Sequence, residues 1–397
     1  MHAVEEAVRL LTEAGRAYGS GVASVVLPVQ SALGCVLADD IASSVAVPPR
    51  DNSAMDGYAF RYADAQYAGF KLPVSQRIPA GTPPLPLMPG SAARIFTGAE
   101  IPDGADTVAM QENCQLEGGH VYIADSVKAG ANIRPSGQDV RAGEVILRAG
   151  RRLRPQEMGL LASVGRGEVC VRRPLRVAVF STGDELVEPG RSLGPGQIYN
   201  SNRATLSGLL AAWRMEMIDC GTCRDTPEAV QALLERIARD VDVVVTSGGV
   251  SVGEEDHVKG GVERLGFLQL WKVAIKPGKP LAFGEVMGTP FIGLPGNPAS
   301  VFVTALIMLR PFLFAMAGAE SMSPQAIKLR ATFSRRAGGR EEYLRAKRVA
   351  DGVEIFPNQS SGMLSSACWG DGLVRQAVGE AVSEGDLVEF LPYSAFI

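Results

Sequence analysis

The segment Val241–Lys259, VDVVVTSGGVSVGEEDHVK, most constrains how this chain can fold. Val241-Asp242-Val243-Val244-Val245 is short, β-branched and almost wholly apolar. Such a run suits a strand buried on both faces of a parallel sheet. It stops at Thr246-Ser247-Gly248-Gly249, where two glycines let the backbone turn tightly and leave room for a ligand. Ser251, Gly253, Glu254, Glu255 and Asp256 follow before the pattern turns helical. In an open α/β sheet, ligands bind just beyond the carboxyl ends of the strands. One Gly-Gly loop alone reads as an ordinary strand-to-helix turn, so function has to be argued from several strand ends together.

Those other strand ends lie in the same stretch. From Leu175, Val177-Ala-Val-Phe180 reads as a strand, residues 203–214 as a helix and Met215–Cys220 as a second strand. Thr226 caps a helix that begins at Pro227 and runs to about Arg239. After the central strand come a helix to about Leu265, a strand at Trp271–Ile275, a last strand at Pro290–Leu294 and a helix to about Ala317. This alternation predicts a doubly wound parallel sheet. Around it the texture changes. Residues 1 to about 20 read as a helix, and 45 to about 140 as a Pro- and Gly-rich, β-rich module. Arg154–Gly165 returns to helix, and residues 324–397 read as a small β-barrel or sandwich.

The chain has 397 residues, enough for two to four domains at ~150 residues each. With 39 basic and 43 acidic residues the net charge is −4, which gives no electrostatic case for nucleic acid. A bilayer span takes about 20 apolar residues; the longest run, Val301–Leu309, meets Arg310-Pro311. No membrane partner is expected. The N-terminus MHAVEEAVRLL is an amphipathic, acidic pattern and not a signal peptide. Six scattered cysteines suit a reducing compartment, so a cytoplasmic location is expected. Cys220 and Cys223 form a CxxC at a strand end, which reads as structural, and three histidines leave little for a triad or a metal cluster.

The strand ends converge. Thr182, Asp184 and Glu185; Asp225; Ser247, Ser251 and Asp256; Lys276 and Lys279; and Asn297 with Ser300 are all delivered to one edge of one sheet. Carboxylates beside lysines suggest a divalent cation with a phosphate or another oxoanion. The helix after Pro295-Gly296-Asn297-Pro298 turns its N-terminus to that edge, with Asn297 as cap. Neither GxxxxGK[ST] nor a GxGxxG after a strand occurs. The residues themselves reach as far as an anionic ligand bound with a cation.

VVVTSGGVSVGEEDHVK, FSTGDEL, IKPGKPLAFG and GLPGNPAS resemble the signatures of the molybdopterin molybdenumtransferase (MoeA) family, related to the E domain of gephyrin. RDNSAMDGYA, IFTGAEIPDGADTVAMQEN and GQDVRAGEVIL are similar to its other segments. The resemblance covers nearly the whole chain. It implies a homodimer that inserts molybdenum from molybdate into adenylylated molybdopterin, with Mg²⁺-dependent release of AMP. It also implies molybdopterin adenylyltransferase and cofactor-accepting enzymes as partners. The expected organisation is a discontinuous dimerisation and linker region (1–44 and 138–173), an inserted β-rich domain (45–137), an α/β molybdopterin-binding domain (174–322) and a C-terminal β-barrel (323–397).

Residue by residue, the resemblance makes Asp225, Asp256 and Glu185 cation ligands. Lys276, Lys279 and Ser300 become contacts to molybdate or phosphate, with Thr182, Asp184, Ser247, Gly248, Gly249, Ser251, Gly253, Pro295, Gly296 and Asn297 around the substrate. Arg345 and Ser361 would complete the molybdate pocket; relatives carry Gly-Ser where this chain has Ser360-Ser361. Asp56, Thr97 and Asp139 resemble functional positions of the inserted domain that act across the dimer. The rivals are the adenylylating enzyme of the same pathway, a tungsten-specific paralogue, and a gephyrin-like scaffold that binds molybdopterin without chemistry.

Overall fold

The computed structural model describes residues 2–249, 257–320 and 323–397. Ser251, Gly253 and Asp256 therefore lie outside the described residues.

The central sheet is built outward from Arg176–Thr182, whose Val177, Ala178, Val179 and Phe180 are fully buried. It pairs in parallel with Glu216–Cys223 on one side and Val243–Ser247 on the other, and the latter pairs in parallel with Thr289–Leu294. The all-apolar character of Val243–Val245 follows from this position, with helices covering both faces. The sheet is not parallel throughout. Pro280–Val286 and Gly266–Lys272 add two antiparallel strands at one edge. The first of these is not predicted, because Gly284 and Glu285 break its apolar pattern. Gly284 is required there, since an added Cβ would run into the Phe267 carbonyl oxygen of the neighbouring strand.

Helix boundaries follow local chemistry. Thr226 Oγ1 accepts from Ala229 N at 3.3 Å and caps Pro227–Ile237. Asn200 Oδ1 accepts from Arg203 N at 3.2 Å at the start of Ser201–Ala212. The helix Pro298–Met316 runs on through Arg310-Pro311, in keeping with the helix to about Ala317 expected from the sequence. A π-helical turn, Ala305–Leu309, precedes Pro311, whose missing N–H an α-helical ladder could not absorb. Arg310 is 7% exposed, lies 4.6 Å over the Phe314 ring and donates Nε to the Phe396 carbonyl at 2.8 Å. Pro298–Met316 is long and apolar enough to cross a membrane, and 94% of its apolar window is buried inside the protein.

The first helix, Val4–Gly19, belongs with this core. Within the 1–44 segment expected to form the dimerisation region, its buried Val4, Ala7, Leu11 and Gly15 pack on the C-terminal half of Pro298–Met316. The contact is close enough that a Cβ on Gly15 would meet the Phe312 carbonyl at 2.5 Å. Beyond it, Ser24–Pro28 pairs antiparallel with Glu168–Arg172, over a separate core that includes Ala32, Leu37, Leu153 and Leu161. Between them, six strands from Gly57–Phe60 to His120–Ile123 form the inserted sheet.

The C-terminal sheet runs Glu341–Val349, Gly372–Gln376, Leu387–Pro392, Ile327–Arg330, with Gly352–Ile355 beside the first strand. A bridge from Ala331 to Val353 curls it back on itself. Ile275–Lys276, from the α/β domain, adds a short parallel strand to its edge at Glu341–Glu342. Lys276 therefore belongs by hydrogen bonding to one domain and by chain connection to the other.

Candidate active site

Strand order reverses beside Arg176–Thr182: one connection runs to Glu216–Cys223, the next to Val243–Ser247 on the opposite side. A crevice forms at such a switch point. Thr182 and Ser247 end the two strands, and Gly248 and Gly249 follow at φ +94° and +65°. Gly249 admits no side chain, because a Cβ would lie 2.6 Å from both Thr182 Oγ1 and Val258 Cγ2. Gly248 N donates to the Leu294 carbonyl at 3.1 Å and draws Pro295–Asn297 to the same edge.

A pocket of about 800 Å³ opens there, between the α/β and C-terminal domains. It is lined by Thr182, Glu185, Ser247, Gly248 and Gly249 from the first strand ends, and by Lys276, Lys279, Pro295, Gly296, Asn297 and Ser300 from the later ones. Ser361 reaches it from the C-terminal domain. Among the expected residues, Asp184 and Asp225 are not in its wall. Neither is Arg345, which is 1% exposed and works from behind: Nη2 donates to the Ser360 carbonyl at 3.0 Å and Nε to Ser366 Oγ at 2.9 Å. Arg345 thus shapes the loop that presents Ser361. Asp56, Thr97 and Asp139 sit away from this wall. Asp56 Oδ1 accepts from Thr97 N at 2.8 Å and from Thr97 Oγ1 at 2.7 Å, which holds its carboxyl below the usual range.

The positive charge is uneven. Lys279 is exposed and has no ion-pair partner among the described residues. Lys276 Nζ donates to Glu342 Oε1 at 2.8 Å. Burial would push the Glu342 carboxyl up, but Lys276 and Arg335 together hold it below the ordinary value. Ser300 is buried at the start of the long helix. Asn297 stands at the cap position with no side-chain bond to the helix. The helix terminus is partly closed, because Ala299 N donates to the Ser361 carbonyl at 2.9 Å.

Sequence reasoning missed Asn202, Arg340, Gln359 and Ser360, all in the wall. Asn202 Nδ2 donates to the Gly296 carbonyl at 2.7 Å, and Arg340 Nη1 to the Ile275 carbonyl at 3.2 Å. The Asn200-Ser-Asn-Arg helix start was the available signal for Asn202. Arg340 and Glu342 carried none, since only the tertiary fold brings them to the lysine loop.

A cation site is only partly assembled among the described residues. No group of three metal-ligating side chains occurs there. Glu185 alone of the three expected acids lines the pocket; Asp225 is outside it and Asp256 is not described. Cys220 and Cys223 are free thiols at the end of Glu216–Cys223, and burial pushes the pKa of each up, the environment of packed cysteines.

A glycine-rich crevice at the switch point, closed by hydroxyls and lysines from two domains, defines an α/β protein whose polar site lies at its strand ends. Residues 2–165 match the family described as MoeA N-terminal region (domain I and II). Residues 178–315 match the probable molybdopterin binding domain, and 328–393 the MoeA C-terminal region (domain IV). The molybdopterin molybdenumtransferase of Haemophilus influenzae is 43% identical over 323 residues, covering 80% of each chain. That of Nostoc is 37% identical over 377 residues, covering 91% of this chain and 86% of the relative. The crystal structure of a molybdopterin biosynthesis MoeA protein from Pyrococcus horikoshii superposes with a TM-score of 0.84 at 28% identity, covering 99% of this chain and all of that one (100%). The chain belongs to the molybdopterin molybdenumtransferase family.

Proposed function

We propose that this chain inserts molybdenum from molybdate into adenylylated molybdopterin and releases AMP. The observation that carries this reading is the convergence of Lys276, Lys279, Ser300 and the Ser247-Gly248-Gly249 turn on one pocket large enough for a nucleotide-linked ligand. Lys279 supplies an unpaired ammonium and Ser300 a hydroxyl for oxoanion oxygens. The glycine turn lets a ligand approach the backbone between Thr182 and Ser247. Holding the oxoanion against the bound pterin converts an encounter of two anions into a proximity-driven step. Arg340 and the lysines offset the charge that accumulates as AMP departs.

Mg²⁺ fits this reading through Glu185, with phosphate oxygens completing its shell and Asp225 and Asp256 as the further acids. When bound it would neutralise the phosphates. Homodimerisation, with Asp56, Thr97 and Asp139 acting across the interface, belongs to the same reading. So do the adenylyltransferase and cofactor-accepting enzymes as partners, and a cytoplasmic setting, which six free thiols suit.

The test is AMP release from adenylylated molybdopterin with Mg²⁺, with and without molybdate, and with tungstate in parallel. Molybdate-dependent release is expected. Release with tungstate alone would assign a tungsten enzyme. Tight binding without release under either oxoanion would leave a scaffold.

A further inference from the structure

Lys276 lines two cavities at once. One is the main pocket; the other is a side cavity of about 450 Å³ walled by Arg335, Arg336, Arg340 and Glu342. Glu342 faces the second cavity, and its two oxygens are divided: Oε1 takes Lys276 Nζ at 2.8 Å and Oε2 takes Arg335 Nε at 3.2 Å. Lys276 is thus already occupied by a carboxylate, while Lys279, three residues on, is not. The Glu342 side chain is 9% exposed, on a strand inside the C-terminal sheet, whereas the Lys276 side chain is 40% exposed.

We propose that Glu342 is a built-in competitor for the oxoanion. It parks Lys276 in the side cavity when the pocket is empty, and an arriving dianion displaces it. Arg335 then retains the released Glu342, so that no buried carboxylate is left unpaired. The exchange costs affinity but restricts capture to an anion that outbids a carboxylate, which a dianionic tetrahedral oxoanion does and a monoanion does not. This inference rests on the reading of the pocket as an oxoanion site.

The experiment is calorimetric titration of the full chain with molybdate alone, each variant checked by its thermal unfolding midpoint. Glu342→Gln should bind about three- to tenfold more tightly, the range expected for removing a half-exposed ion pair. Glu341→Gln removes the same charge one residue away, where Arg375 and Tyr343 hold it on the other side of the strand. It should leave affinity unchanged. Arg335→Gln, which leaves Glu342 to Lys276 alone, should weaken binding and gives a second reading if Glu342→Gln folds poorly. Lys276→Met should weaken binding strongly. If it does while Glu342→Gln and Arg335→Gln bind as the parent does, the competition is refuted and the oxoanion site stands. Equal tightening by Glu341→Gln and Glu342→Gln would refute it as well, as a general field effect. If Lys276→Met and Lys279→Met both bind molybdate as the parent does, the pocket reading itself falls.

Discussion

The backbone N–H of Ala299 donates to the carbonyl of Ser361 at 2.9 Å. Ala299 belongs to the first turn of the long buried helix and Ser361 to the C-terminal domain. The domain that closes the pocket is thereby tied to the helix that forms its floor, with no side chain involved.

Arg345 holds the Ser361 end of that tie. Arg345→Ala should lower kcat/KM, mainly through KM, and destabilise the fold by about 2–4 kcal/mol by emptying a buried site and freeing its acceptors. Arg345→Lys should not restore activity, because the two contacts need a guanidinium fork. Steady-state kinetics with denaturant unfolding checks both parts.

Gly249→Ala should damage both stability and activity. The positive φ costs about 1 kcal/mol for a residue with a Cβ, and the contacts with Thr182 and Val258 add about 1–3 kcal/mol of strain. Gly118→Ala, where the φ is +56° and the space is open, should show the backbone cost alone and normal turnover. The difference between their urea midpoints isolates the steric part.

Lys279→Met should fold as the parent does, since the side chain is exposed and unpaired among the described residues. A hydrogen bond to a charged group is worth about 1.5–3 kcal/mol, so molybdate-dependent AMP release at low molybdate should fall about 10- to 100-fold. An unchanged rate would remove Lys279 from the site.

Acid should weaken the fold through Glu157. Burial would raise this carboxyl, but Arg154 and Arg151 override it and hold it at about 2 against an ordinary 4.5. The folded value is the lower one, so the stabilisation is complete above about pH 4.5 and fades as pH falls toward 2. The arginines are half exposed, which limits the contribution to about 2 kcal/mol. Glu157→Gln should lower stability at pH 7 and flatten its decline between those limits, as read by unfolding at stepped pH.

Removing Phe396 and Ile397 should cost more than their size suggests. The Phe396 carbonyl accepts from Trp213 Nε1 at 2.7 Å and from Arg310 Nε at 2.8 Å, and its ring is buried. The truncation leaves two buried donors and a void, a loss of about 4–6 kcal/mol. Thermal unfolding checks it, and Ile397→Ala, which keeps the Phe396 carbonyl an amide, should be close to neutral because that side chain is exposed.

The α/β core was legible wherever a strand is buried on both faces, as at Val177–Phe180 and Val243–Val245, because nothing polar interrupts those runs. The antiparallel edge was not: Gly284 and Glu285 serve close packing and a bond from Tyr18, neither of which leaves a local period. The last helix was legible to about Ala317, but the way Arg310 is accommodated inside it was not. Phe314 and Phe396 help to receive this buried arginine, and Phe396 lies 86 residues away. Site residues on strand ends were readable from their order along the chain. Arg340 and Glu342 were not, since their place is set by domain docking, whereas Asn202 carried an unused signal in its helix start.

The lysine loop has a mechanical consequence. Its first residue is bonded into the C-terminal sheet, and its last precedes a strand of the α/β sheet. Lys276–Lys279 spans the join between the two sheets, so the spacing of its two ammonium groups depends on how the domains sit against each other. Posture of the protein and grip on the cargo meet in these residues, and a spectroscopic ruler across the two domains, read with and without molybdate, tests whether occupancy changes that posture.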